Sequence, residues 1–276
     1  MAAIQAHLLI QINLRDGVMD NHKVVDINSR AWDGWVDQGN EWSVPISHET
    51  FLGAQQGTWE VTLTAGKPVP RDWFPELKGA KVLALACGGG QQAPIFKALG
   101  ADVTVLDNSE KQLLQERRVA EREGYAIELV QGDMADLSRF SHGTFDLVYN
   151  PVSTCYVRDV IPVWNEVYRV LEPGGIFLTG FANPVAFIFS EPNGARGLTV
   201  RSKLPFDPVA DLAEAELQDL VGKGGPLFFS HTLESLLGGQ MRAGFRLLDL
   251  YEDNDPWDEI ARYTPTYIAT KAAKDG

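Results

Sequence analysis

Cysteine is nearly missing from this 276-residue chain, which holds only Cys87 and Cys155. Two thiols in that number and spacing make neither a disulfide framework nor a metal knuckle, and they fit a reducing, cytoplasmic setting. Histidine is also sparse: His7, His22, His48, His142 and His231 lie scattered without metal-ligand spacing, so no metal is expected. No apolar run approaches the ~20 residues that cross a bilayer. Residues 2–14 are mildly apolar but lack the basic start of a signal peptide, so neither a membrane partner nor a leader is expected. Positive charge is short as well, with 24 Lys and Arg against 37 Asp and Glu and a formal net charge of −13. A nucleic-acid backbone demands clustered Lys and Arg, so the balance argues against that class of partner, a small local basic patch aside, and none is expected.

Hydrophobic residues make up 45% of the chain, enough for one large domain or a domain with a lid. Residues 81–93 organise the rest. An apolar run over 82–86 reads as a buried strand, the glycines Gly88, Gly89 and Gly90 follow at once, and a helix is expected from 92 to 99. Strand, glycine turn and helix form a nucleotide cradle, because glycine permits a sharp turn and close approach while a helix N-terminus offers free N–H groups. Further strands are expected over 101–107, 127–131, 145–149 and 176–180, alternating with helices over 109–124 and 160–170, the first of these capped by Ser109 and closed by Gly124. Residues 171–175 read as a turn. This alternation predicts βαβ units and a doubly wound, mostly parallel Rossmann-like α/β sheet. Residues 245–251 and 266–271 add two strands, expected to pair as an antiparallel hairpin with the last strand reversed, for seven in all. A helix is expected from 231 to 244.

Residues 1–20 read as a poorly anchored tail, with Met19 a candidate natural start. The segment that follows holds Trp32, Trp35 and Trp42. A helix capped by Asn28 or Ser29 and stopped at Gly39-Asn40 puts Trp32 and Trp35 on one face. They serve either as core packing or as a lid placing Trp42, Glu41 and His48 near a substrate. Prolines 68, 70 and 75 mark a linker, so residues 1–75 are expected to form tail, tryptophan-rich lid and linker, with residues 76–276 the ligand-binding domain. Residues 183–229, irregular and proline-rich around a short acidic helix at 209–221, read as a cap inserted after the fifth strand.

The turn Gly88-Gly89-Gly90-Gln91-Gln92-Ala93 matches the G-x-G-x-x-A form of the dinucleotide fingerprint. Asp107, at the end of the second strand, can accept hydrogen bonds from both ribose hydroxyls, or else cap the next helix, as Asn108 can. Asp133 in Gly132-Asp133-Met134 can accept from an adenine amino group while Met134 packs on the ring, or it is an ordinary turn acid. Asn150, in Tyr149-Asn150-Pro151-Val152, stands where open α/β sheets place their ligands.

These stretches, with Arg169-Val170-Leu171-Glu172-Pro173-Gly174-Gly175, resemble the class I S-adenosylmethionine-dependent methyltransferases over residues 81–180. The resemblance implies that the cofactor is S-adenosylmethionine, with S-adenosylhomocysteine as product. It implies that Ala86, Cys87, Gly88, Gly89 and Gly90 approach the cofactor, that Asp107 beside Asn108 binds ribose, that Asp133 and Met134 bind adenine, and that Asn150 lies near the methionine moiety. Ala84 stands where many members carry an acid that supports the methionine amino group, and Ala86 where the first glycine lies. A backbone carbonyl or an N-terminal residue would then serve that amino group.

Methyl transfer from a sulfonium needs alignment and dryness more than acid–base chemistry. His48, His231 and Glu41 are the candidates for a general base. The Asn150-Pro151 pair is similar to a motif of amino-methylating enzymes, but Val152 and Ser153 replace its second proline and aromatic residue. The tryptophan-rich segment distantly resembles the lid of thiol and halide methyltransferases, which makes a small-molecule acceptor the better expectation, with Trp35, Trp42 and Tyr156 near it. The expected assembly is a monomer or a homodimer. Two other readings stay open on these residues: a non-catalytic S-adenosylmethionine sensor or partner subunit, suggested by Ala84, and a nicotinamide oxidoreductase.

Overall fold

A computed structural model describes residues 19–190, 197–255 and 258–276. The tail expected at 1–20 falls outside these residues except for Met19, which is buried, and Asp20, which caps the first helix. That helix, α1 (Asn21–Asp37), begins well before the expected cap, because the Asp20 side chain accepts from the Lys23 N–H. Asn28 is a fully buried mid-helix residue instead. Its amide donates to the carbonyls of Tyr156 and Leu227, and its oxygen accepts from the Leu227 N–H.

A 3-10 turn (Glu41–Ser43) leads to α2 (His48–Gln55), capped by Ser47. Then come β1 (Lys81–Leu85), α3 (Gln92–Ala98), β2 (Asp102–Asp107), α4 (Glu110–Glu123), β3 (Glu128–Gln131), β4 (Phe145–Asn150), α5 (Ile161–Val170) and β5 (Leu171–Ala182). Ser109 and Gly124 cap α4 at its two ends, Gly124 in the left-handed region. The turn expected at 171–175 is instead a bulge within β5. Phe145 pairs with Leu171 and Leu147 with Ile176, and the extra residues loop out through Gly174 at φ +81°.

The insertion holds a two-stranded ribbon, β6 (Phe189–Ser190) with β7 (Thr199–Val200), and two short helices, α6 (Pro208–Asp211) and α7 (Glu214–Gly222), where one helix was expected. Leu212 is extended at ψ 148° and divides them. A π-turn (Glu234–Gly238) runs into α8 (Gly239–Ala243), stopped by Gly244 at φ +112°. Last come β8 (Phe245–Asp253) and β9 (Tyr267–Lys274).

The sheet runs β3-β2-β1-β4-β5-β9-β8, with β9 antiparallel to both neighbours and the rest parallel. Apolar cores cover both faces, one around Trp164, Phe177 and Leu137, the other around Phe96, Tyr149 and Leu178. Val61, Leu63, Val69 and Trp73 join the second core, so the proline-rich stretch is anchored to the sheet. A third core joins Met19, Val24 and Ile27 to Leu217, Leu227 and Phe229, so α1 and the insertion share one small core above the carboxyl ends of the strands. No helix among the described residues is long and apolar enough to cross a membrane.

Candidate active site

A cavity of about 480 Å³ opens at the carboxyl ends of β1, β2, β3 and β4. Ala86, Cys87 and Gly88 follow β1 into its wall, Asp107 and Asn108 end β2, Gly132, Asp133 and Met134 follow β3, and Pro151 and Tyr156 lie beyond β4. The parallel strands bring these separate turns together at one edge of the sheet. Trp32, Trp35 and Trp42 close the cavity from the N-terminal side, Phe187 and Phe228 from the insertion, and Tyr267 from the start of β9. Trp32 packs edge-on against Trp35 at 4.9 Å and against Tyr156 at 5.5 Å.

The glycine turn is wired from within. Gly88 donates to Asp107 Oδ2 at 2.9 Å, Gly89 to the Gln112 carbonyl at 3.1 Å, and Gly90 to Glu116 Oε1 at 2.7 Å. A Cβ on Gly88 would stand 2.6 Å from Gln112 Cβ and 3.0 Å from Asp107 Oδ2, so only glycine lets turn and carboxylate meet. Ala86 takes the left-handed region at φ +46°, the only described non-glycine residue to do so. Gly89 and Gly90 stand outside the cavity wall, under the N-terminal segment: the Gly90 carbonyl accepts from the Ile46 N–H, and Gln91 donates to the carbonyls of Glu41 and Val44.

Asp107 is buried, with Oδ1 accepting from the Ser109 N–H at 2.9 Å. Burial lifts its carboxyl to about 6, against the pull of those N–H donors, and the Asp33 charge adds to the rise. Glu116, wholly buried beneath the turn, is lifted to about 8 by burial, again against its N–H donor, with Asp107 adding repulsion. Burial pushes the Cys87 thiol well up too.

Besides Gly89 and Gly90, four sequence-derived candidates stand away from the wall. Asn150 is fully buried behind the wall, where its amide donates to the Leu85 carbonyl and Ser153 Oγ and its oxygen accepts from Thr179 Oγ1. It braces the ends of β1, β4 and β5. His48 lies on the surface, 2.8 Å from Glu123 Oε2. His231 is buried against the Thr154 carbonyl at 2.9 Å, and burial lowers its pKa. Glu41 is exposed, and only its carbonyl takes part, in holding Gln91. None of the four lines the cavity. No motif marks Thr62, Leu63, Thr64 and Ala65, nor Phe187, Asp255 and Asp258, which reach the wall from segments outside the seven-stranded sheet, nor Tyr267, which opens β9. Among the described residues no group of three or more metal-ligating side chains occurs.

Residues 83–179 match the family model described as a methyltransferase domain. An uncharacterized methyltransferase, YbaJ of Bacillus subtilis (strain 168), is 46% identical over 90% of this chain and 97% of its own. The chain belongs to the class I S-adenosylmethionine-dependent methyltransferases. Solved structures share the fold. An S-adenosylmethionine-dependent methyltransferase from Mesorhizobium loti superposes with a TM-score of 0.59 at 23% identity, over 74% of this chain and 95% of that one. The 1,6-didemethyltoxoflavin-N1-methyltransferase of Burkholderia thailandensis, solved with 1,6-didemethyltoxoflavin and S-adenosylhomocysteine, gives 0.56 at 15% identity, over 94% and 92%.

The wiring of the glycine turn fits this methyltransferase's cofactor and not a dinucleotide. A pyrophosphate needs free backbone N–H groups, and those of Gly88, Gly89 and Gly90 are all engaged. S-adenosylmethionine brings hydroxyl and amino donors, and the wall carries carboxylate acceptors in Asp107 and Asp133.

Proposed function

We propose that this methyltransferase acts on a small, uncharged or cationic molecule held between the aromatic lid and the cap. The observation that carries this is the composition of the cavity wall. Among the described lining residues there is no Lys, Arg or His, while Trp35, Trp42, Tyr156, Phe187, Phe228 and Tyr267 supply apolar faces and Asp255 and Asp258 supply acid. A carboxylate or phosphate would find no partner there. Two buried free thiols suit a reducing compartment such as the cytoplasm.

In this reading residues 1–75 supply the lid and linker, residues 76–276 the cofactor domain, and residues 183–229 the cap. Asp107 takes the ribose hydroxyls, Asp133 and Met134 the adenine, and Ala86, Cys87 and Gly88 line the methionine end. Trp35, Trp42 and Tyr156 face the acceptor. S-adenosylmethionine supplies a sulfonium-activated methyl that leaves by in-line displacement. The lid and cap exclude water and hold the acceptor atom in line, and no imidazole is needed for an acceptor that is already nucleophilic.

The test is S-adenosylhomocysteine release across a panel of small acceptors, run beside calorimetry with S-adenosylmethionine. Amines, thiols and phenols turning over while carboxylates and phosphates do not is the expected result. Turnover confined to carboxylates or phosphates overturns the acceptor reading, and a failure to bind S-adenosylmethionine overturns the site.

A further inference from the structure

Helix α1 grips the turn between β2 and α4 with a stripe of side chains spaced four apart. Ser29 Oγ donates to the Asn108 carbonyl at 2.8 Å. Asp33 Oδ1 accepts from Ser109 Oγ at 2.6 Å and from the Lys111 N–H at 3.1 Å. Asp37 pairs with the Lys111 ammonium. Such spacing puts all three on one helix face, while Trp32 and Trp35 of the same helix reach the cavity. Ser109 joins two carboxylates: its hydroxyl donates to Asp33 and its N–H donates to Asp107 Oδ1 at 2.9 Å. The same Asp107 holds the glycine turn through Gly88.

We propose that Asp33 is a positioning residue for cofactor binding: from the lid helix it fixes the Ser109 turn that aims the Asp107 carboxylate, so that seating of the lid and grip on the ribose are coupled. This rests on Asp107 being the ribose acceptor. The coupling runs both ways, since whatever steadies Asp107 also steadies the turn on which α1 sits. Lifting α1 removes the Oδ1 acceptor from Ser109 and Lys111 and leaves the Asp107 turn without its outer support. Release of S-adenosylhomocysteine then follows opening of this helix.

Charge gives a second readout. The groups facing Asp107 are Asp33 on α1, Glu116 on α4, Cys87 after β1 and Tyr156 beyond β4, with Lys111 on the far side of Asp33. Asp107 must be ionised to accept from two hydroxyls, so affinity falls as pH drops through about 6. Neutralising Asp33 removes a nearby negative charge, favours the ionised Asp107, and carries that fall to lower pH.

The experiment measures S-adenosylmethionine affinity from pH 5 to 8, and the S-adenosylhomocysteine off-rate, for the intact protein and for Asp33→Ala, Asp33→Asn and Asp107→Ala. Asp33→Ala is expected to weaken affinity roughly tenfold and speed release to match, as befits the loss of a charged acceptor with two donors. Asp33→Asn, which keeps the Oδ1 acceptor, recovers part of that loss and shifts the acid limb to lower pH. A purely structural role would not move that limb. An unshifted limb in Asp33→Asn, or unchanged affinity in Asp33→Ala, overturns the proposal. Asp107→Ala separates the two readings: if it binds normally the ribose assignment fails, whereas if it binds weakly while the Asp33 variants match the intact protein, only the positioning role of Asp33 fails.

Discussion

Gly180 in β5 lies directly beneath the carbonyl of Leu63, and a Cβ at position 180 would land on that oxygen. The same carbonyl accepts from the Val152 N–H at 3.0 Å, so the segment through Thr62, Leu63 and Thr64 is pinned across the sheet where it joins the cavity wall. Gly180→Ala must push backbone rather than a flexible side chain. A destabilisation of about 3 kcal/mol is expected, the upper end for overpacking, with a raised KM for the acceptor. Urea denaturation checks the first and steady-state kinetics the second, and an unchanged midpoint would contradict the packing.

Glu116 makes stability depend on pH. Its folded carboxyl, lifted to about 8, stays protonated while an unfolded one ionises near its ordinary value of 4.5. The unfolded state therefore binds fewer protons between those values, and stability declines as pH rises through that window. Glu116→Gln keeps an acceptor for the Gly90 N–H without the charge. The variant is expected to lose this decline and to gain on the intact protein by a few kcal/mol toward pH 8. Parallel urea curves at pH 5 and 8 decide it, and equal slopes with pH in the two proteins would refute the assignment.

Ala86 carries left-handed strain in the cavity wall. For an L-residue that region costs roughly 1–2 kcal/mol, and glycine recovers it less the entropy of its freer unfolded chain. Ala86→Gly is expected to raise the urea midpoint by a net gain of about 1 kcal/mol or less at unchanged slope. A lowered midpoint would show that the Ala86 methyl packs more favourably than its backbone strains.

His48 serves the surface, where it pairs with Glu123 beside Arg122. His48→Gln should leave kcat/KM within about twofold, as for exposed substitutions remote from a site. A drop of about a hundredfold or more would place the imidazole in the chemistry after all.

The alternation of strands and helices from Lys81 to Ala182 was legible because each buried strand is a short apolar run bounded by turn residues. Asp107 was legible for the same reason, as a carboxylate closing such a run. The start of α1 was not. Asn28 reads as a cap in any window around it, and what makes it a core residue is Leu227, invisible to local pattern. Asn150 misled in the same way: its position at a strand end suggested a ligand contact, while Thr179 and Leu85 had already taken its amide. The acceptor end of the cavity was the least readable part. Thr64, Phe187 and Asp258 come from three segments without periodicity, Tyr267 opens a strand with no motif to mark it, and only the assembled fold brings the four together.

Asn28 and Leu227 also set an order of events during synthesis. The polar clasp that seats α1 spans 199 residues, so this helix waits on a partner made late in the chain. A nascent chain ending at β5 can pair its parallel strands and shape the glycine turn, yet it still leaves Trp32 and Trp35 without the neighbours that hold them over the cavity. The pocket is completed later still, when β9 enters the sheet beside β5 and brings Tyr267 to the wall.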